Sequence, residues 1–210
     1  MDINHYLKLY LILETSLLRL PLDDFIAQAI DGGVTAVQLR DKSSTAIERF
    51  TAAKSIKRLI AGKDVIFIIN NTADIAVAVG ANGVHLGPDD LPPGDVKKYF
   101  PNLCVGVSCN NNNDCATANS SRADYAGVGP VFFTTTKVNL RPPLGCKGVK
   151  KTTQRLVIPS VAVGGITEGN IFTLKDSGVV GVAVSSAICS SEVPYEAARA
   201  LRKKLDEALK

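Results

Sequence analysis

The chain has no Cys-x-x-Cys pair; its five cysteines stand at 104, 109, 115, 146 and 189. An odd number without metal-ligand spacing offers neither a disulfide framework nor a zinc site, so a reducing, cytoplasmic setting is the expectation. Long hydrophobic runs are missing too. The apolar N-terminal stretch YLKLYLIL is interrupted by Lys8, followed by Glu14, and lacks a small-residue cleavage site. It is far too short to cross a bilayer and reads as a first strand, with no membrane partner implied. Nor is there a strong charge of one sign: 24 Lys and Arg face 20 Asp and Glu, a formal net charge of +4. The densest basic runs, KGVKK from Lys147 and RKK from Arg202, leave no nucleic-acid footprint, only a slight bias toward anionic ligands. No low-complexity tract divides the 210 residues, of which 46% are apolar. Residues 1–210 are therefore expected to form one domain with a substantial core, and a homo-oligomer stays open.

What is present is a rhythm of short β-branched strands and helices. Strands are expected at Leu9–Leu13, Ala36–Leu39, Val65–Ile69, Gly83–Leu86, Cys104–Val107, Tyr125–Val128, Ser160–Val163 and Gly181–Val184. Pro21 followed by Asp23 and Asp24 opens a first helix that Gly32 and Gly33 end. Thr45–Ile60 reads as a long helix with Ile47, Phe50, Ile56, Leu59 and Ile60 on its inner side. Further helices are expected at Thr72–Val79, near Gly94–Phe100, from about Asn112, and over Thr153–Val157, Thr167–Asp176 and Pro194–Leu209. Residues 138–152 form the longest irregular connection, a candidate lid. The segments DGGVTAVQL, VGANGVHLG and DSGVVGVAV each close a helix with glycine and enter a strand. About eight such units in a chain of this length predict a single-domain (β/α)8 TIM barrel. A doubly wound sheet is the alternative, and the first strand lacks its G-x-G-x-x-G turn.

In a barrel, polar residues at successive strand ends converge. Strand two brings Gln38, Arg40 and Lys42, alternating so that all three can point the same way. Strand three brings Asn70 and Asn71; strand four His85, with Asp89 and Asp90 beyond; strand five Ser108. The stretch YAGVGPVFFTTTK empties a buried strand into Thr134, Thr135, Thr136 and Lys137, hydroxyls and an ammonium that suit phosphate oxygens. Gly164 and Gly165 with Ser185 and Ser186 suit a second phosphate held by backbone N–H groups. Paired cations beside a carboxylate pair fit a diphosphate and its magnesium, Mg2+. Each feature also has a plainer reading: Arg40 and Lys42 as an exposed pair, Asp89 and Asp90 as a helix cap, Asn110–Asn113 as turn residues. His85 on an apolar strand reads as a structural histidine. Cys109 has no base beside it to make it a nucleophile.

Taken in order, AVQLRDK, FIINNTADIAVAVGANGVHLGPDDLP, VGVS, YAGVGPVFFTTTK followed by PPLG, VAVGGIT and GVAVSSAI span nearly the whole chain. In these segments the chain resembles the thiamine phosphate synthase family. The resemblance implies a (β/α)8 barrel that joins hydroxymethylpyrimidine diphosphate to a thiazole phosphate and releases pyrophosphate. It implies that Gln38, Arg40, Lys42, Asn70, Ser108 and Lys137 bind the pyrimidine diphosphate. Asp90 and the residue at 71 would hold magnesium, and Thr134, Thr136, Gly165, Ser185 and Ser186 the thiazole phosphate. Arg40, Lys42 and Lys137 would neutralise the departing diphosphate and so be catalytic.

Two residues depart from the family pattern. Asn71 stands where the family has aspartate, so one magnesium carboxylate is missing and weaker metal binding is expected. Phe133 stands where the family usually has proline, which would loosen the threonine loop. A related thiazole tautomerase is the enzyme rival, but it relies on a histidine after the strand-five serine, where this chain has Asn110. A non-catalytic barrel that binds a phosphorylated ligand is the other alternative, and Asn71 is its chief support.

Overall fold

A computed structural model describes residues 2–134, 136 and 141–209. Eight parallel strands close on themselves in sequence order. They are β1 (Leu9–Leu13), β2 (Ala36–Leu39), β3 (Ile66–Asn70), β4 (Gly83–Leu86), β5 (Cys104–Cys109), β6 (Tyr125–Val128), β7 (Ser160–Val163) and β8 (Gly181–Val184). A short helix α1 (Ile3–Tyr6) precedes β1. Successive crossovers hold α2 (Leu22–Asp31), α3 (Ala46–Leu59), α4 (Ala73–Ala78), α5 (Pro93–Tyr99), α6 (Asn112–Ser120) and α7 (Gly145–Thr153). The β7–β8 crossover carries a single 3-10 turn at Ile171–Leu174, and α8 (Ser186–Cys189) and α9 (Pro194–Ala208) follow β8. The (β/α)8 barrel expected from the sequence is the observed fold. Tyr10 lies opposite Ala36 on one side and Ala183 on the other, so β1 joins β2 to β8 and leaves no open edge. Reciprocal capping boxes, Thr45 with Glu48 and Asn111 with Asp114, satisfy the first amides of α3 and α6.

Because strand side chains alternate, each strand feeds two separate cores. Leu9, Leu11, Leu13, Val37, Leu39, Phe67 and Ile69 point outward and meet Phe25, Ile56 and Leu201 of the helices. Tyr10, Ala36, Ile66, Ile68, Cys104, Tyr125, Val161 and Ala183 point inward and pack the barrel's centre. Two glycines shape that centre. A Cβ on Gly106 would stand 2.1 Å from Cζ of Tyr125, and one on Gly127 would stand 3.2 Å from Cε1 of His85. Small residues here are what let a tyrosine and a histidine share the interior.

Four local expectations are corrected. Ile47 is 68% exposed, not inward; at about 100° per residue it lies opposite Ile56 on α3. The irregular connection expected over 138–152 ends sooner, since α7 begins at Gly145, and the helix predicted over Thr153–Val157 lies one turn and more too late. Its two glycines and three lysines mask a helix that buries only Val149 and Thr152. The helix expected over Thr167–Asp176 reduces to the 3-10 turn, because Asn170 folds back to accept from Thr167 N and donate to Gly165 O. Of the candidate lid, residues 145–152 belong to α7 and 141–144 lead into it, while 138–140 lie outside the described residues.

Gly106→Ala is expected to force the Tyr125 ring out of place and lower unfolding free energy by about 1–3 kcal/mol. Urea titration of the variant against the wild type checks this, and an unchanged midpoint would contradict it.

Candidate functional site

The carboxyl ends of the strands surround a cavity of about 190 Å³ that reaches down to Tyr10, Tyr125 and Val161. Of the residues expected from the sequence, Gln38, Arg40, Asn70, Ser108, Thr134, Thr136, Gly165, Ser185 and Ser186 line it. Lys42 does not. It sits past the end of β2 on an exposed bend, lining a shallow groove beside the cavity together with Asp41 and Ser44. The strict alternation expected of Gln38, Arg40 and Lys42 fails because the strand ends at Leu39. Thr135 and Lys137 lie outside the described residues.

The floor of the cavity is a line of hydrogen bonds that the sequence reading missed. Gln38 Nε2 donates to Tyr10 Oη at 2.6 Å, and Tyr10 Oη meets Tyr125 Oη at 2.7 Å. Tyr125 Oη is 3.1 Å from His85 Nδ1, and His85 Nε2 is 3.1 Å from Ser108 Oγ. His85 is thus engaged through both ring nitrogens. The one sequence signal for this floor was Gly106, since glycine inside a strand marks a close approach.

At the rim, Glu14 was missed as well. Its Oε1 accepts from Arg40 Nη1 at 3.0 Å and from Ser185 Oγ at 3.3 Å, with both charged side chains mostly buried. Asp41 clamps the same end of β1 by accepting from Thr15 N and Thr15 Oγ1. On the far wall Gly164 and Gly165 adopt φ of 101° and 65°. A Cβ on Gly165 would stand 2.5 Å from the Phe133 carbonyl oxygen, so glycine is needed for the β6 loop to rest there. Phe133 itself is 81% exposed.

Asn71 and Asp90 stand beyond the ends of the adjacent strands β3 and β4 and do not line the main cavity. Asn71 holds a left-handed φ of 68° with its N–H on His85 O, and Asp90 Oδ2 accepts from Gly87 N at 2.6 Å. Asn110 spends its side-chain amide on the Gly129 carbonyl at 2.9 Å. No helix among the described residues is long and apolar enough to cross a membrane.

Such a site, an arginine with amides and hydroxyls around one cavity at the carboxyl ends of a (β/α)8 barrel, defines a barrel of the kind that handles small anionic ligands. Within that class, the chain belongs to the thiamine monophosphate synthase family, which it matches over residues 9–188. It is 36% identical over 209 residues to thiamine-phosphate synthase of Pyrococcus furiosus, covering 100% of both chains. It is 38% identical over 200 residues to the synthase of Vibrio parahaemolyticus, covering 95% of this chain and 98% of the other. The solved thiamine phosphate pyrophosphorylase of Pyrococcus furiosus superposes with a TM-score of 0.90 at 34% identity, over 100% of each chain. A 3-hexulose-6-phosphate synthase, at 17% identity and a TM-score of 0.67 over 96% of this chain and 100% of the other, shares the fold alone.

Burial pushes the phenols of Tyr10 and Tyr125 above their ordinary 10.0, and pushes the thiols of Cys104 and Cys109 from 9.0 up to about 12. These groups are neutral in the folded chain at pH values where the unfolded chain ionises them. Their contribution to stability is therefore complete below about pH 9 and is lost as the pH rises through the folded values. The urea midpoint is expected to fall from pH 9 upward, with two of the five tyrosines ionising only on unfolding. Tyrosinate absorbance followed alongside the midpoint checks both; full titration of all five in the folded state would contradict the burial argument.

Proposed function

We propose that this chain is a transferase that makes thiamine phosphate, joining hydroxymethylpyrimidine diphosphate to the thiazole phosphate and releasing pyrophosphate. The observation that carries this reading is family membership across residues 9–188 together with a cavity whose wall sets Arg40, amides and hydroxyls among apolar side chains. The methylene–oxygen bond of the diphosphate breaks with both electrons going to oxygen, and the thiazole nitrogen lone pair forms the new bond to that carbon. The electron-donating aminopyrimidine stabilises the methylene cation, so neither a nucleophilic side chain nor a strong base is required. In keeping with this, burial holds the Cys104 and Cys109 thiols of β5 protonated.

In this reading Arg40 and Lys42, with Lys137, neutralise charge on the leaving diphosphate. Gln38, Asn70 and Ser108 hold the pyrimidine, while Thr134, Thr135, Thr136, Gly165, Ser185 and Ser186 take the thiazole phosphate and set its nitrogen in line. A magnesium ion would be held by Asp90 and Asn71. One carboxylate and one amide oxygen fit a hard cation that draws its other ligands from substrate and water. When bound, the ion supplies further neutralisation of the diphosphate. The Asn110 amide, occupied by the Gly129 carbonyl, offers no group for a tautomerase. The five cysteines are all free, which accords with a reducing cytoplasm.

An assay with both substrates and magnesium is expected to give thiamine phosphate. Arg40→Ala and Lys137→Ala should each cost about 100-fold or more in kcat/KM, and Asn71→Asp should raise activity at limiting magnesium. No product under any divalent metal would leave only a ligand-binding barrel, and full activity of Lys137→Ala would refute its diphosphate role.

A further inference from the structure

Five polar side chains cross the cavity floor in one line, Gln38 to Tyr10 to Tyr125 to His85 to Ser108, each link a hydrogen bond of 2.6 to 3.1 Å. Proton counting fixes its direction. An amide nitrogen only donates, so Tyr10 accepts from Gln38. Tyr10 is buried, and among the described residues its hydroxyl meets only Gln38 and Tyr125. Its one proton must therefore go to Tyr125, because the other arrangement strands it unpaired inside the barrel. Tyr125 then donates to His85 Nδ1, and His85 as the Nε2–H tautomer donates to Ser108. The serine's own proton is left for the cavity. At the other end Gln38 is 3% exposed and lines the cavity. Its Oε1 has no protein partner among the described residues, and it is not among the polar atoms sealed off without one.

We propose that Tyr10, Tyr125 and His85 are positioning residues that determine specificity: they lock Gln38 as an acceptor and leave Ser108 its proton to donate toward the cavity, so the pocket selects an aminopyrimidine over its oxo analogue. This rests on the substrate reading given above. Along one edge an aminopyrimidine presents an amino N–H and a ring-nitrogen lone pair, the complement of that acceptor and donor. The oxo analogue reverses both, with a carbonyl oxygen and a ring N–H. To receive it, the Gln38 amide must turn over so that Oε1 faces Tyr10, and then every proton along the line must reverse as far as Ser108. Ser108 has a second lone pair with which to adapt, but the Gln38 end cannot turn without reversing the whole line. Cutting the line at Tyr125 frees each end to turn alone, and the discrimination falls.

Calorimetric titration of the amino and oxo hydroxymethylpyrimidine diphosphates into wild type, Tyr125→Phe and Tyr10→Phe tests this, with steady-state kinetics alongside. The wild type should prefer the amino compound by about 100-fold or more, as a site built to hydrogen-bond its ligand does. Either phenylalanine variant should cut that ratio at least tenfold and raise KM for the pyrimidine diphosphate, leaving KM for the thiazole phosphate unchanged. A folded variant with the wild-type ratio, or a wild type that binds both compounds equally, overturns the proposal. Should neither variant fold, the wild type still decides: the chain has only two histidines, His5 and His85, and nitrogen NMR showing a protonated Nδ1 on His85 would overturn it. Tight amino-over-oxo binding without thiamine phosphate synthesis would sink the functional reading and keep the relay; synthesis with equal acceptance of both compounds does the reverse.

Discussion

A closed barrel has to fill its own centre, and in this chain tyrosine does the filling. The inward positions of eight strands meet in a space that tolerates no large void, and Tyr10 and Tyr125 are the largest fully buried side chains there. A phenol buried without a partner costs about 1–3 kcal/mol, so two of them must be placed where their hydroxyls find each other and then something more. Gln38 and His85 are that something, and Ser108 ends the line at the cavity. The packing requirement and the hydrogen-bonding requirement thus have one joint solution, and the polar floor of the site is that solution. Gly106 and Gly127 belong to it, since a Cβ at 106 would collide with the Tyr125 ring and one at 127 would crowd His85.

The same logic explains why the upper layer is left open. Above the tyrosines the inward positions pass to Arg40, Asn70, Gly129 and Ser185, side chains too short or too polar to close the space among themselves. The outer core does not suffer for this. Leu11, Val37, Phe67 and Val105 still pack beneath the helices, so the cavity is carved from the inner core alone and the barrel wall keeps its full apolar backing.

Strands were legible because each reads as a short apolar run, rich in Val or Ile in most cases, a pattern that burial on both faces imposes. Helices were legible where a periodic apolar face exceeds two turns, as in α9, and illegible in α7, where only Val149 and Thr152 turn inward. For the site, amides and hydroxyls placed just past the strand ends could be read directly, because barrel geometry alone brings them together. Lys42 shows the limit: alternation carries information only as far as the strand, and one bend beyond Leu39 turned it out of the cavity. Tyr10 and Tyr125 look like ordinary core on an apolar strand, and their hydroxyl pairing spans 115 residues. Glu14 looks like any acid after a strand until Arg40, 26 residues away, is known to face it.

That last pair bears on how charge is divided in the site. An arginine only a tenth exposed needs a counter-charge, and Glu14 provides it at 3.0 Å. Much of the attraction of Arg40 for an incoming anion is therefore already spent inside the protein. What the guanidinium retains is shape, a planar fork held at a fixed angle by the carboxylate, suited to orienting phosphate oxygens more than to drawing them in. Net positive charge has to come from cations that are not neutralised within the wall. Lys42, exposed on the rim and without an ion pair among the described residues, is such a cation, and its place outside the cavity accords with the role proposed for it: a strongly hydrated ammonium at the entrance would attract the diphosphate, and the buried arginine would align it. Because Glu14 also accepts from Ser185, it stands between the wall residues proposed for the two phosphates, so the carboxylate that orients Arg40 also disfavours either anion drifting into the other's place.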